Sequence, residues 1–456
     1  MKTKSYEMDM CNGPLVKKIL IFAIPLMFSS ILQLLFNAVD MVIVGRYSID
    51  KANALAAVGS TSSLINLLVN SFMGLSVGAN VIVAQAFGAK DDSGIHNTIH
   101  TSILLSIVCG FILSVLGIVL ARPLLSLMGT PDTVLGLSST YMKIYFIGMP
   151  AVLLYNFGSS IMRAIGDTKK PLYFLIIAGI INVILNLIFV IGFKMSVDGV
   201  ALATVISQCV SAILIIISLM KTEGTCKLYL HKLTIHRASL LKILKIGIPA
   251  GLQGAIFSIS NVLIQSSINS FGDVCMAGNA ATANVEGFIF SSMNAFHQAA
   301  VSFTSQNMGA KKYDRIKSVL RICLTNVVIV GCGLSLVLYI FRYPILNLYT
   351  EGNMAVTEYG IIRMKIIFPL YFLCGIMDVL VGSIRGLGFS ALPMIVSLLG
   401  ACAFRVIWIF TIFSALPTLT ILYVSYPVSW AITLVVHFIC FKILFNKLST
   451  KDTCVI

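Results

Sequence analysis

Of the seventeen acidic residues in this chain, three lie well inside long apolar stretches: Asp40, Glu286 and Asp378. A charge at the middle of a membrane-spanning helix costs roughly 2.5–3.5 kcal/mol on insertion scales, so an acid kept there serves an ion, a proton, a substrate or a partner side chain. Asp40 closes the run Ile19–Val44, which also carries Pro25, a helix-bending residue, near its start. As a helix this run reaches about 39 Å, more than the ~30 Å hydrocarbon core. Asp40 lies roughly 9 Å inside the boundary marked by Arg46. Counted from the same boundary, Asn186 and Thr204 fall at about the same depth, with Asn182 one turn deeper on the face of Asn186. A carboxylate among amide and hydroxyl oxygens can hold Na⁺, and a protonated Asp40 can equally be hydrogen-bonded by the same groups. The bland alternative is that the two asparagines and the threonine are interhelical hydrogen-bonding groups, a common packing device in membranes.

The elements that position these residues are membrane helices. The chain has 456 residues, 58% hydrophobic and 11% charged, whereas a soluble domain is roughly a quarter charged. Apolar runs bounded by polar or Pro/Gly-rich stretches give about twelve spans: 19–45, 54–86, 95–120, 135–160, 172–193, 199–220, 243–271, 276–306, 318–341, 359–384, 392–414 and 418–445. With the N-terminus inside, the inner segments carry Lys2, Lys4, Lys17, Lys18, Lys90, Arg163, Lys169, Lys170, the run 221–245, Lys311, Lys312, Arg315 and the tail lysines. The outer side holds only Arg46, Lys51, Arg122, Lys194 and Arg342, so both termini are expected in the cytoplasm. The net charge of +15 therefore orients the chain, and no basic helix or RNA-binding signature points to nucleic acid. The first apolar run is too long for a signal-peptide core and lacks a small-residue cleavage site, so the N-terminus reads as mature and membrane-embedded. Eleven cysteines without a CxxC read as reduced thiols, with no disulfide framework, zinc site or cofactor implied. Cys454 stands one place off the prenylation pattern.

The basic stretch 221–242 divides the chain into 1–220 and 243–456, and the halves repeat. Ile24-Pro25 recurs as Ile248-Pro249, Gln85–Lys90 as Gln306–Lys311, Tyr141–Ile144 as Arg363–Ile366, and Arg163-Ala-Ile-Gly166 with Pro171 as Arg385-Gly-Leu-Gly388 with Pro393, at offsets of 221 to 224 residues. Six spans per half give both halves one orientation. The expected fold is an all-α integral membrane protein of twelve transmembrane helices in two six-helix lobes, a parallel repeat around a central cavity. Pro25 and Pro249 are the matched bending points, whereas Asp40 has no acidic counterpart before Asp273.

The Pro25–Asp40 helix, Val44-Gly45, Gln85–Lys90, Arg163–Pro171 and Arg385–Gly388, in this order and spacing, resemble the multidrug and toxic compound extrusion (MATE) family over essentially the whole chain. The resemblance implies an antiporter that exports organic, often cationic, drugs against inward H⁺ or Na⁺. It also implies that Asp40, Asn182 and Thr204 occupy the family's N-lobe cation site. Asn186 departs from the pattern, since many members carry an acid there. With a single carboxylate, proton coupling is easier to credit than tight sodium binding.

Glu286, near the middle of its span, can meet a cationic drug in the cavity or pair with a neighbouring helix. Asp378 can face the cavity or bond Arg385. Arg405, a buried guanidinium, needs a partner, and Asp378 or Glu286 is a possible one. Lys143 and Lys365 read as snorkelling to the interface. His96 and His100 read as a surface pair rather than metal ligands, and His297 as a weak proton-relay candidate. No nucleophile elbow, Walker loop, kinase signature or metal ligand set supports an enzyme or an ATP-driven pump. Rival readings are a lipid-linked precursor flippase, which would favour a strongly cationic cavity, and a channel or receptor. The expected setting is a bacterial plasma membrane, with a monomer in the lipid bilayer.

Overall fold

The computed structural model describes residues 8–48, 51–350 and 352–453. Lys2, Lys4 and Cys454 lie outside the described residues, as do the side chains of Lys51 and Lys451. Among the described residues all regular structure is helical, as expected where no water satisfies backbone N–H and C=O groups. The first half of the chain holds α1 (Leu15–Tyr47), α2 (Lys51–Ala89), α3 (Asp92–Leu127), α4 (Asp132–Ile147), α5 (Met149–Ala164), α6 (Lys169–Asn186) and α7 (Val197–Lys221). The second holds α8 (Arg237–Asn269), α9 (Asp273–Gly309), α10 (Tyr313–Ile340), α11 (Arg342–Thr350), α12 (Met354–Ile367), α13 (Phe372–Gly386), α14 (Ala391–Ser397), α15 (Phe404–Trp408) and α16 (Leu419–Thr453).

Among the described residues, nine helical runs are long and apolar enough to cross a membrane, and two bent pairs raise this to eleven. The remaining expected span, 276–306, is α9. It has 37 residues but is diluted by Asn279, Asn284, Glu286, Asn294, His297 and Gln298, several of which are buried against partners described below. The spans expected at 135–160 and 359–384 are bent, by 48° between α4 and α5 and by 49° between α12 and α13. Each break carries a proline, Pro150 or Pro369, which has no N–H for the helical ladder.

The repeat is visible in burial. Val134, Leu135, Ser138, Tyr141, Met142 and Phe146 are buried, and so are Val356, Thr357, Gly360, Arg363, Met364 and Phe368, each 222 residues later. Gly166 and Gly388 end their motifs at φ of 94° and 97°, a left-handed conformation that only glycine takes without strain. In the second copy a π-helical segment, Leu398–Ala403, precedes α15. A π-turn inserts one residue, and the offset of the following buried positions becomes 223, so that Ala178, Gly179 and Asn182 match Ala401, Cys402 and Arg405. Beyond α6 the chain also passes into a π-helical segment, Leu187–Gly192, echoed by Ile409–Phe413.

By packing, one unit holds Phe28–Ala255 with the segment up to Asp9, and the other holds Met10–Met27 with Ile256–Ile456. The division runs through α1 between Met27 and Phe28, close after Pro25, and through α8 between Ala255 and Ile256, nearly two turns after Pro249. In the first unit α2 meets the first half of α8 through paired small-residue motifs. A Cβ on Gly74 would fall 2.0 Å from the Gly251 nitrogen, and one on Gly78 2.4 Å from the Ile243 oxygen. This is the close backbone approach that GxxxG spacing permits. The 222–236 linker docks on α3: the Tyr229 N–H donates to His100 Nε2 (3.1 Å) and the His236 N–H to Thr101 Oγ1 (3.0 Å). His100 is fully buried, so the surface reading of this histidine is corrected: it anchors the linker because its ring nitrogen meets an otherwise unpaired amide. In the second unit, Arg315 donates to the Met10, Asn12 and Gly13 carbonyls at 2.8–3.1 Å, and Phe22 packs edge-on against Phe303 at 5.5 Å.

Candidate functional site

Asp40 stands near the end of α1, and α1 is held close to α6 by Gly179. A Cβ at Gly179 would lie 1.9 Å from Phe36 Cζ, so the Phe36 ring occupies the room that glycine leaves. Phe36 is one turn before Asp40, and Gly179 is one turn before Asn182. That register brings the polar groups together. The Asn186 amide donates from Nδ2 to Asp40 Oδ1 at 2.6 Å and to Asn182 Oδ1 at 3.2 Å. Asn182 donates in turn to Thr204 Oγ1 of α7 at 3.4 Å, and the Thr204 hydroxyl donates to the Val200 carbonyl at 3.0 Å. All four residues chosen for depth from the sequence therefore join one chain of hydrogen bonds.

Asn186 is fully buried, and its Oδ1 has no hydrogen-bond partner. A buried acceptor left unmade costs about 1–3 kcal/mol, and such atoms in native structures call for an explanation. Here it sits on the residue that bonds a carboxylate, so a cation or a protonated group has both a charge and a spare oxygen to meet. The donor set suits a hard cation or a proton: carboxylate, amide and hydroxyl oxygens, with no thiol or imidazole. Tyr141 and Tyr145 of α4, stacked at 6.2 Å, lie within electrostatic reach of Asp40. Neither was singled out from the sequence, because an aromatic at helical spacing looks like ordinary core.

The second unit holds a different arrangement. Glu286 is gripped by Arg363 through a two-bond fork, Nε to Oε1 and Nη2 to Oε2, both 2.7 Å. Arg363 also donates to Asn279 Oδ1, which takes a further bond from the Tyr423 hydroxyl at 3.3 Å. Asn279 donates to Gln265 at 3.0 Å. Arg405 does not pair with Glu286 or Asp378, and that expectation is corrected. Its Nε donates to Ser429 Oγ at 2.9 Å, and its guanidinium lies over the Tyr426 and Trp430 rings at 4.3 and 5.8 Å. Asp378 lies within electrostatic reach of Arg385. His297 Nδ1 bonds the Asp378 carbonyl at 2.7 Å rather than a side chain. Lys143 and Lys365 are exposed. Arg363 was missed as a site residue. The signal was present in the repeat, where arginine replaces Tyr141 at a buried position.

The MatE family model matches the chain twice, over residues 25–188 and 249–411, so the two matches begin on the paired helix prolines. The chain belongs to the MatE family, and it is a multi-pass membrane protein with the twelve-helix MATE fold. It is similar to the probable multidrug resistance protein YpnP of Bacillus subtilis (strain 168), at 30% identity over 87% of this chain and 88% of that one. It is also similar to the probable multidrug resistance protein YoeA of the same organism, at 27% identity over 94% and 93%. Among solved structures, an outward-facing multidrug resistance MATE family transporter of the MOP superfamily superposes with a TM-score of 0.89 at 20% identity, covering 99% of this chain and 100% of that one.

Proposed function

We propose that this protein is a secondary antiporter that exports organic drugs, cationic ones among them, in exchange for H⁺ or Na⁺ entering at Asp40. The observation that carries the reading is the buried Asp40–Asn186–Asn182–Thr204 chain with its unpaired Asn186 oxygen. The relatives' names, both multidrug resistance proteins, support the cargo class. Moving one charge through 100 mV supplies roughly 2.3 kcal/mol, enough for a modest drug gradient without ATP. When the cation or proton binds, Asp40 loses its charge and its pull on the Asn186 amide. The neutralised α1 is then free to repack about Pro25, where the packing division also falls. Pro249 gives α8 the matching freedom. A resident cofactor has no role in this scheme, and Na⁺, if it is the coupling ion, is cargo.

The setting proposed is a bacterial plasma membrane with both termini inside and the protein working as a monomer. Efflux of ethidium from cells or reconstituted vesicles, with and without a protonophore and with and without sodium, tests the proposal. Asp40→Asn is expected to lower ion-driven efflux by about a hundredfold, in the range seen when a charge-handling group is removed. Unchanged efflux in that variant would sink the coupling role of Asp40.

A further inference from the structure

The repeat gives each residue of the Asp40 site a counterpart in the second unit, and the only charged counterparts are arginines. Asp40 corresponds to Ile264, Tyr141 to Arg363, Asn182 to Arg405, Asn186 to Ile409 and Thr204 to Tyr426. The burial pattern fixes the pairings of Tyr141, Asn182 and Thr204, and the residue offsets extend them to Asp40 and Asn186. In α7 and α16 the buried residues Val200, Ala201, Ala203, Ser207 and Ser211 match Leu422, Tyr423, Ser425, Ser429 and Thr433, all 222 residues on. Ser429, which bonds Arg405, therefore stands where Ser207 stands beside Thr204. The five positions that hold one carboxylate and four neutral polar groups in the first unit hold two arginines, two isoleucines and a tyrosine in the second.

Charge balance singles out Arg405. The second unit has three buried arginines among the described residues, Arg363, Arg385 and Arg405. Glu286 answers Arg363 through the fork, and Arg385 has the carboxylate of Asp378 within electrostatic reach. Among the described residues no carboxylate answers Arg405. It is 3% exposed, its Nε is used by Ser429, and its Nη2 has no hydrogen-bond partner. The rings of Tyr426 and Trp430 lend their π-faces, which attract a cation but carry no full negative charge. A guanidinium shut away from water without a counter-charge is strongly disfavoured, and its free donors fit a carboxylate better than any other common group.

We infer that the second unit's counterpart of the Asp40 site binds the carboxylate of a transported compound, with Arg405 as its anchor and the Tyr426 and Trp430 faces lining the approach. The inference rests on the drug-export reading and names a substrate class within it: compounds that carry a carboxylate, zwitterions included. Because Nη2 is closed off in the arrangement described, the carboxylate gains access by displacement of Tyr426 or Trp430. Glu286 stays committed to Arg363, so the site carries one net positive charge, and a compound bearing one carboxylate neutralises it.

The test is equilibrium binding of radiolabelled norfloxacin and of norfloxacin methyl ester to the full chain in nanodiscs. The ester keeps the amine and the ring system and lacks the acid. The wild-type protein is expected to bind the acid about tenfold more tightly than the ester, the scale of one charge-assisted contact. Arg405→Gln is expected to remove that preference and leave ester affinity within about threefold, while Arg405→Lys keeps part of it. Equal affinity of the wild-type protein for acid and ester overturns the inference, and that comparison needs no variant to fold. An Arg405→Gln protein that weakens both compounds alike, or neither, overturns it too. Ethidium has no carboxylate, so absence of ethidium efflux by the wild-type protein would count against the export reading and leave the acid-to-ester comparison standing.

Discussion

The Asp40 cluster of the first unit and the Arg363–Arg405 cluster of the second occupy matched places on matched helices, yet they solve opposite electrostatic problems. In the first, one carboxylate is surrounded by neutral donors and acceptors, and an oxygen of Asn186 is left over. In the second, a carboxylate is fully used by one arginine, and a donor of Arg405 is left over. The same backbone scaffold therefore surrounds a carboxylate with neutral groups in one copy and an arginine with neutral groups in the other. The neighbouring positions remain buried in both copies. A single acid works as a switch because it can be neutralised by an ion or a proton, whereas a forked Glu–Arg pair is already neutral and holds its geometry.

The comparison breaks most visibly if the Glu286–Arg363 pair is cut. Glu286→Gln leaves a buried guanidinium with half its partners, and a loss of about 3–5 kcal/mol in unfolding stability is expected. Thermal or SDS unfolding of the purified protein reads it, and the double variant Glu286→Gln with Arg363→Gln should recover much of the loss. A single variant no less stable than wild type would show that the fork is not a structural lock. Next in size is Gly179→Leu. The new side chain must displace the Phe36 ring, so overpacking of about 1–3 kcal/mol is expected, together with slower ion-driven efflux because Asp40 and Asn186 no longer meet at 2.6 Å. Normal efflux in a stable Gly179→Leu protein would mean that this contact does not set the site.

Asn186→Asp sharpens the contrast by moving the first unit further from the second. A second acid beside Asp40 favours Na⁺ over neutral packing, and sodium stimulation of ethidium efflux is expected to rise by about threefold. No change in sodium dependence would argue that the site handles protons alone. The smallest effect concerns the caps at the repeat positions Asp91 and Lys312. Asp91 caps α3 by accepting from the Gly94 N–H and the Ser93 hydroxyl, both at 2.9 Å. Lys312 makes no such cap on α10 and donates instead to the Cys11 carbonyl at 3.0 Å and Asn12 Oδ1 at 2.6 Å. The cap holds the Asp91 carboxyl below its ordinary pKa. Its stabilising contribution is therefore complete above the unfolded value of about 4 and is lost as pH falls through the lower folded value. Amide exchange at Gly94 should be faster in Asp91→Ala than in wild type at pH 6, and the difference should shrink as pH falls through the lowered folded value. A difference that stays constant down to full protonation of the carboxyl would rule out the carboxylate as the cap.

Much of this architecture was written in one dimension. The period and length of the apolar runs, the positive-inside bias and the four recurring motifs determined a twelve-span, two-copy membrane protein, because the bilayer permits few alternatives for such a chain. Depth counting was enough to gather Asp40, Asn182, Asn186 and Thr204, since rise per residue and a common boundary are properties of the helix alone. Other features depended on which faces meet. The partner of Glu286 is an arginine 77 positions away, and Arg405 found aromatic rings and a serine instead of an acid. The 48° and 49° bends and the π-turn that shifts Arg405 by one residue into register with Asn182 were decided by tertiary packing. Side-chain partners across helices are set by rotation about each helix axis, a quantity that hydropathy leaves open and that packing at Gly179, Pro150 and Pro369 fixes.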